Sequence, residues 1–289
     1  MRRYLSFIIC ALSFSAALLS SCSNIAEDER LIYVEPAVTP DDKPEPTDSA
    51  YDAPVKVVPR SVLIEDHTGQ KCPNCPEASK LIHDFQQVYG ARVVPVAIHS
   101  DAQGIMEPEG LGTQLGNTYY RHWNVKFKPA GLISRTDGGL GVVMDKTVWT
   151  DALQYMLTLD TSLDIRVKAE QKSDNTADIS VKVICTREEA AVSGKLQVWL
   201  TEDHIVAQQD SMGVHLANYV HNHVLRAAVN GEWGEDVSVS GLAAQQELHY
   251  TATLSPAWKA ENLSVVAFVY NDQGVEQAVS KPLALPKKD

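Results

Sequence analysis

Two cysteines three positions apart, in the run Lys71-Cys72-Pro73-Asn74-Cys75-Pro76, are the residues of this chain best suited to do chemistry. A C-x-x-C that opens a helix sets its first sulfur against unpaired backbone N–H groups and the positive end of the helix dipole, which favours the thiolate. Lys71 adds positive charge beside Cys72. Cys75, one turn further in, is placed to attack a mixed disulfide on Cys72 and release the product. Asp66, six residues before Cys72, is the candidate to take the proton from Cys75. Three readings of the pair stay open at this point: a redox-active dithiol, a structural disulfide at the helix start, and half of a metal site. The third lacks a second closely spaced pair. His221-Asn222-His223 is its one complement, and reads as a solvated strand edge or loop. His67 and His83 read as surface or supporting residues. Cys185 is in phase with Ile179, Val181 and Val183 and reads as a small buried hydrophobe. Walker, dinucleotide, H-E-x-x-H and G-x-S-x-G patterns do not occur, so no cofactor is implied and nucleotide or hydrolytic chemistry has no support.

Alternating elements must position the pair. Ser61–Glu65 is a short apolar strand leading into the cysteines. Ala78, Leu81, Ile82, Phe85, Val88 and Tyr89 recur at helical spacing, with Gly90 as the stop. Val93 to Ile98 is a nearly continuous apolar run, the pattern of a strand buried on both faces. Residues 101–122 are irregular before a helix around Tyr119-Tyr120. Phe127–Ser134 is a further strand, and Asp145 caps a helix bearing Val148, Trp149, Ala152, Leu153, Met156 and Leu157. This is an α/β unit over residues 60–160. From 161 to 289 the period becomes two, as in Leu163, Ile165, Val167 and Ala169, with turn signals between short strands, among them Ser173-Asp174-Asn175. That pattern predicts an immunoglobulin-like β-sandwich.

The amino terminus carries an address. Met1-Arg2-Arg3 precedes an apolar run from Leu5 to Leu19, too short for a spanning helix, which needs about 20 residues. Small residues ahead of Cys22 match a lipobox, so residues 1–21 resemble a lipoprotein signal peptide, with Cys22 as the acylated residue that ties the chain to a membrane. Residues 22–59 hold Pro36, Pro40, Pro44, Pro46, Pro54 and Pro59 among many acids and read as an extended tether. The acidic start of that tether resembles the surface-export signals of Bacteroidetes lipoproteins. Lys+Arg 25 against Asp+Glu 37 gives a net charge of −12, which disfavours nucleic acid as a partner. An oxidising location outside the cytoplasm favours a disulfide between neighbouring thiols.

The strand–C-x-x-C–helix arrangement resembles the thioredoxin superfamily. By that resemblance Pro129, in Phe127-Lys128-Pro129-Ala130, takes the place of a cis-proline facing the cysteine pair. The chain departs from it in lacking a Trp before Cys72, in the Pro73-Asn74 pair and in Pro76. More closely, the lipobox, the stretch Val62 to Pro76 and His221-Asn222-His223-Val224-Leu225-Arg226 resemble the twenty-eight-kilodalton outer-membrane protein family of Bacteroidetes. Membership implies an α/β thioredoxin-like domain followed by an all-β immunoglobulin-like sandwich, on a lipoprotein of the outer membrane, facing the periplasm or the cell surface. Two functions follow from these readings. One is a surface binding or adhesin-type protein whose segment Gln208–Asn222 contacts a protein partner. The other is a tethered thiol–disulfide oxidoreductase with Cys72 as nucleophile, Cys75 as resolving thiol, and Asp66 and Pro129 in support.

Overall fold

The computed structural model describes residues 51–172 and 175–286. The signal peptide, Cys22, the tether up to residue 50 and the Ser173-Asp174 turn lie outside them.

The residues before 160 form the expected local elements. Strand β1 (Val62–Thr68) is buried along its whole length and runs parallel to β2 (Val93–His99). Helix α1 (Cys75–Tyr89) has Asn74 at its cap, Pro76 in its first turn and Gly90 past its end. Its buried stripe is Ala78, Ile82 and Phe85, while Val88 is left exposed. Thr113 caps α2 (Gln114–His122) by accepting from Gly116 N. Strand β3 (Ala130–Ile133) lies antiparallel to β1 and pairs with the two-residue β4 (Met144–Asp145). Asp145 caps the 3-10 turn that feeds α3 (Trp149–Thr158).

Fourteen strands and three α-helices make up the described residues. The carboxyl-terminal ten strands are β5 (Leu163–Gln171), β6 (Thr176–Cys185), β7 (Ala191–Glu202), β8 (Ile205–Ser211), β9 (Val214–His221), β10 (Val224–Ala228), β11 (Glu235–Ser240), β12 (Gln245–Thr253), β13 (Leu263–Asn271) and β14 (Gly274–Pro282). The expected thioredoxin-like domain followed by an immunoglobulin-like sandwich is not what they build. Nine strands form one sheet in the order β14-β13-β7-β10-β2-β1-β3-β4, with β11 on the remaining length of β7. The join is β10, antiparallel to β7 on one side and parallel to β2 on the other, where Val224 faces Ala97 and Ala97 N donates to His223 O. The strands around β1 are therefore continuous with the larger sheet on the β2 side and end at β4 on the other, and the second layer is only β12-β6-β5. Period-two patterning marks where strands are and is silent about which edges meet.

Three apolar clusters fill the structure. One lies between the three-stranded sheet and β7, β11 and β13, and includes Cys185, as its phase predicted. A second joins α1 and α3 to β1 through Ile64, Ile82, Phe85, Trp149 and Leu153. The third, on the opposite face of β1 and β2, gathers Leu63, Ile98, Tyr119, Trp199 and Phe268. Gly131 is glycine because Trp149 lies on it: a Cβ there would stand 2.4 Å from the indole. Residues 51–54 run against the small sheet, where Tyr51 donates to Glu247 at 2.8 Å and Arg166 donates to Tyr51 O at 3.3 Å and to Pro54 O at 3.2 Å.

Candidate functional site

The carboxyl ends of β1 and β2 converge on the cysteine loop. Alternation puts Val62, Ile64 and Asp66 on the face covered by α1 and α3, with Val93 and His99 beside them; Leu63, Glu65 and His67 face the other way. Past the end of β1 the chain tightens at Gly69, where Cys72 N donates to Gly69 O at 3.0 Å, and Cys75 begins α1. Cys72 thus lies in the turn just before the helix. Its sulfur is joined to that of Cys75, S–S 2.09 Å, and each cysteine is 1% exposed. A nucleophile that must meet another protein's disulfide needs more access than that.

The cover is the hairpin β8–β9, which pairs with no other strand among the described residues. Its turn is Met212-Gly213, both at positive φ (45° and 86°), the two-residue connection that matches strand twist. Strand β8 lies on the cysteine loop as a further strand would. Asp210 N donates to Gln70 O at 2.8 Å and Met212 N to Pro73 O at 3.1 Å. Gln209, 2% exposed, turns its amide inward and donates to Cys72 O (3.0 Å), Gly69 O (3.3 Å) and Asp210 O (2.9 Å). Gln70 answers by donating to Gln208 O at 3.2 Å. The outer surface of the hairpin leaves Val206 61%, Met212 66% and Val214 37% exposed.

Burial sets the electrostatics beneath. Asp66, 1% exposed, has its carboxyl pushed up to about 7 by burial, against the opposing pull of Lys128, and its Oδ1 meets no donor among the described residues. The Lys128 ammonium donates to Thr68 O, Ser100 Oγ (2.8 Å) and Ala102 O (2.6 Å), and burial brings it down to about 8. The Lys128–Pro129 peptide is cis, as the resemblance implied, and Pro129 is buried. His221 is not the solvated residue the sequence suggested, and of the two readings of His67, surface or supporting, the surface one is excluded. His67 is fully buried with neither ring nitrogen hydrogen-bonded among the described residues, and burial with Lys128 and Arg135 lowers it to about 3. His221 is lowered to about 4 by burial and stands 5.4 Å, ring to ring, from His99, itself held well below its usual value by burial and by His221. His223 bonds Gln86 of α1 at 3.1 Å. Among the described residues no cluster of three or more His, Cys, Asp or Glu is placed to hold a metal ion.

Of the predicted residues, then, Cys72 and Cys75 are joined, and Asp66 and Pro129 lie at the adjoining ends of paired strands (Asp66 faces Gly131 in the β1–β3 register). Cys22 lies outside the described residues. Sequence reasoning missed Gln70, Gln209, His99 and the Lys128 side chain. A Met-Gly pair between two alternating runs was the signal that could have revealed the hairpin and hence its buried glutamine.

Comparison with known proteins adds the family. The sequence model of the family described as Outer membrane protein Omp28 matches residues 116–285, a span that contains the hairpin and leaves out both cysteines of the bridge. HBP35 of Porphyromonas gingivalis shares 13% identity and superposes with a TM-score of 0.63, over 81% of this chain and 79% of that one, a likeness of fold. A domain of the outer membrane lipoprotein Omp28 from Porphyromonas gingivalis shares 27% identity over 44% of this chain and 92% of its own, with a TM-score of 0.34. No curated protein matches the sequence. No described helix is long and apolar enough to cross a membrane.

Proposed function

The chain belongs to the Omp28 outer membrane protein family, and from that premise we propose that this outer-membrane lipoprotein is a binding protein whose contact element is the β8–β9 hairpin. Cys22 carries the lipid, and the segment from Cys22 to the docking point at Tyr51 is the tether. The disulfide braces the loop on which the hairpin stands. The observation that carries this reading is the seal over the sulfurs. Cys72 and Cys75 are each 1% exposed beneath a strand bonded to their own loop, and that strand's hairpin shows apolar side chains to solvent. A protein surface is the occupant that such a tip fits, since exposed Met and β-branched side chains around a turn contribute desolvation and little charge.

A second reading, the thiol–disulfide oxidoreductase with Cys72 attacking, draws support from Asp66, a buried carboxyl with its proton affinity raised to about 7 beside the helix that carries Cys75. Two measurements on the full lipidated protein separate the two. In exchange with a dithiol reporter, wild type and Cys72→Ser are expected to be equally inactive; turnover lost in Cys72→Ser overturns the binding reading. A photo-crosslinker at Met212 or Val214 on intact cells is expected to yield a discrete protein adduct. No adduct beyond that from the same group at Leu242, exposed elsewhere, also overturns it.

A further inference from the structure

A cleft of about 810 Å³ lies away from the cysteine loop, between the end of α2, the first half of β7 with β11, and the β13–β14 turn. Its walls carry four aromatic rings, His122, Trp123, Trp233 and Tyr270. They are fixed before any ligand arrives. Trp233 stands 5.1 Å from Tyr119 and 4.2 Å from His122, centroid to centroid, on a loop held at both sides. Tyr270 donates its hydroxyl to Trp233 O at 2.7 Å, and Tyr119 donates to Glu232 O at 2.6 Å. Gly234 follows at φ 68°, so close to β7 that a Cβ would stand 2.2 Å from Leu196 O. Trp123 and Tyr270 flank the Arg135 guanidinium at 5.3 and 4.6 Å.

The strongest charges in this cleft are already neutralised by the protein. Arg135 forks onto buried Glu65 at 2.7 and 2.8 Å, and Lys195 pairs with Asp236 at 2.9 Å. An anionic ligand would have to compete with Glu65 and Asp236 for those two cations. What the rim offers instead is groups that donate and accept in short range: the Ser193 and Ser238 hydroxyls, 2.9 Å apart, and the exposed Asp272 carboxylate, which makes no hydrogen bond or ion pair among the described residues. Aromatic walls beside paired hydroxyls and a single free carboxylate acceptor suit a ligand with apolar C–H faces and hydroxyl edges. All the lining residues fall within 116–285, the span matched by the family. We propose that this cleft binds a neutral saccharide, its ring faces on Trp233 and Tyr270 and its hydroxyls on Asp272 and the Ser193–Ser238 pair. The site is independent of the hairpin reading.

The probe is a panel of neutral oligosaccharides of hexose and N-acetylhexosamine, titrated into the full chain while tryptophan fluorescence is followed. At least one member is expected to give a saturable change from Trp123 and Trp233. Trp233→Ala is expected to weaken it by about 30-fold or more, as loss of a central aromatic anchor does. Asp272→Ala, on an exposed turn where folding is not at stake, should weaken the same titration several-fold, and Val206→Asp on the hairpin should leave it unchanged. No saturable change with any member up to about 10 mM overturns the proposal. Binding that Trp233→Ala and Asp272→Ala both leave intact does so too, as does a preference for sialylated or sulfated members that vanishes with salt.

Discussion

Gln209→Ala removes the one side chain that ties the hairpin to the carbonyl of Cys72. The amide's two N–H bonds, shared among Cys72 O and Gly69 O of the loop and Asp210 O of β8 itself, are lost. A neutral hydrogen bond is worth about 0.5–1.5 kcal/mol net, and a buried carbonyl left without its donor adds more. The backbone bonds from Asp210 and Met212 to the loop remain, so the hairpin should still dock, less tightly by about 2–3 kcal/mol, or about 30- to 150-fold in its opening equilibrium. A bridge 1% exposed reacts with solution thiols only when that opening occurs. Reduction of Cys72–Cys75 by dithiothreitol under native conditions, followed by alkylation and mass spectrometry, should therefore accelerate by the same factor. Amides of residues 205–221 should lose hydrogen-exchange protection in parallel, with those of β1 and β13 unchanged. Equal reduction rates in the variant and wild type would refute the seal. So would acceleration that matched a loss of global stability, since the bridge would then open only with the whole fold.

Asp66 titrates near 7 in the fold against about 3.9 in an unfolded chain, so its contribution to stability is complete below pH 4, declines as pH rises, and is gone above 7. Asp66→Asn should consequently gain up to about 4 kcal/mol over wild type at pH 8 and little at pH 4.5; denaturant melts giving the same difference at both values would contradict it. The buried histidines act with opposite sign. His67, lowered to about 3, and His221, lowered to about 4, with His99 beside them, favour the fold above pH 6.5, and each withdraws about 1.4 kcal/mol per unit below it. Three histidines outweigh one carboxyl, so stability should fall between pH 6.5 and 4.5, more steeply in Asp66→Asn; a flat wild-type profile would be the contrary result. Gly131→Ala drives a methyl to within 2.4 Å of the Trp149 ring and should lower stability by about 2–3 kcal/mol in the same melts.

Much of this architecture was legible one element at a time. The stripe of α1, the cap at Asp145 and the phase of Cys185 follow from chemistry within a few residues, which is all that spacing can report; the cis peptide at Pro129 was expected only through the family resemblance. Pairing is a different matter. β10 joins the two halves through a single register pair, Val224 with Ala97, and nothing in Val224–Ala228 distinguishes a strand bound for β2 from one bound for a separate sandwich. Glu65 and Arg135 show the same limit. Glu65 follows an apolar run and Arg135 lies in the polar stretch Ser134-Arg135-Thr136-Asp137, and only their meeting 70 positions apart makes burial tolerable for both.

The buried polar residues at this end of the sheet have one common cause. His221, His99, Gln209 and the cysteines belong in water if 208–222 is a loop, because a loop leaves the carboxyl ends of β1 and β2 open to solvent. The Met212-Gly213 turn reverses the chain there instead, and β8 then lies along Gln70–Pro73. That one reversal withdraws water from the glutamine, both histidines and both sulfurs together, and it gives the outward side chains of the same hairpin, Val206, Met212 and Val214, their exposure. Inside and outside of this element are therefore one property of the fold. A change that loosens the buried amide of Gln209 must also blur the geometry of the exposed tip, so that in Gln209→Ala crosslinking from Met212 should weaken as reduction of the bridge quickens. Two effects moving independently would mean that the disulfide and the contact surface are unconnected.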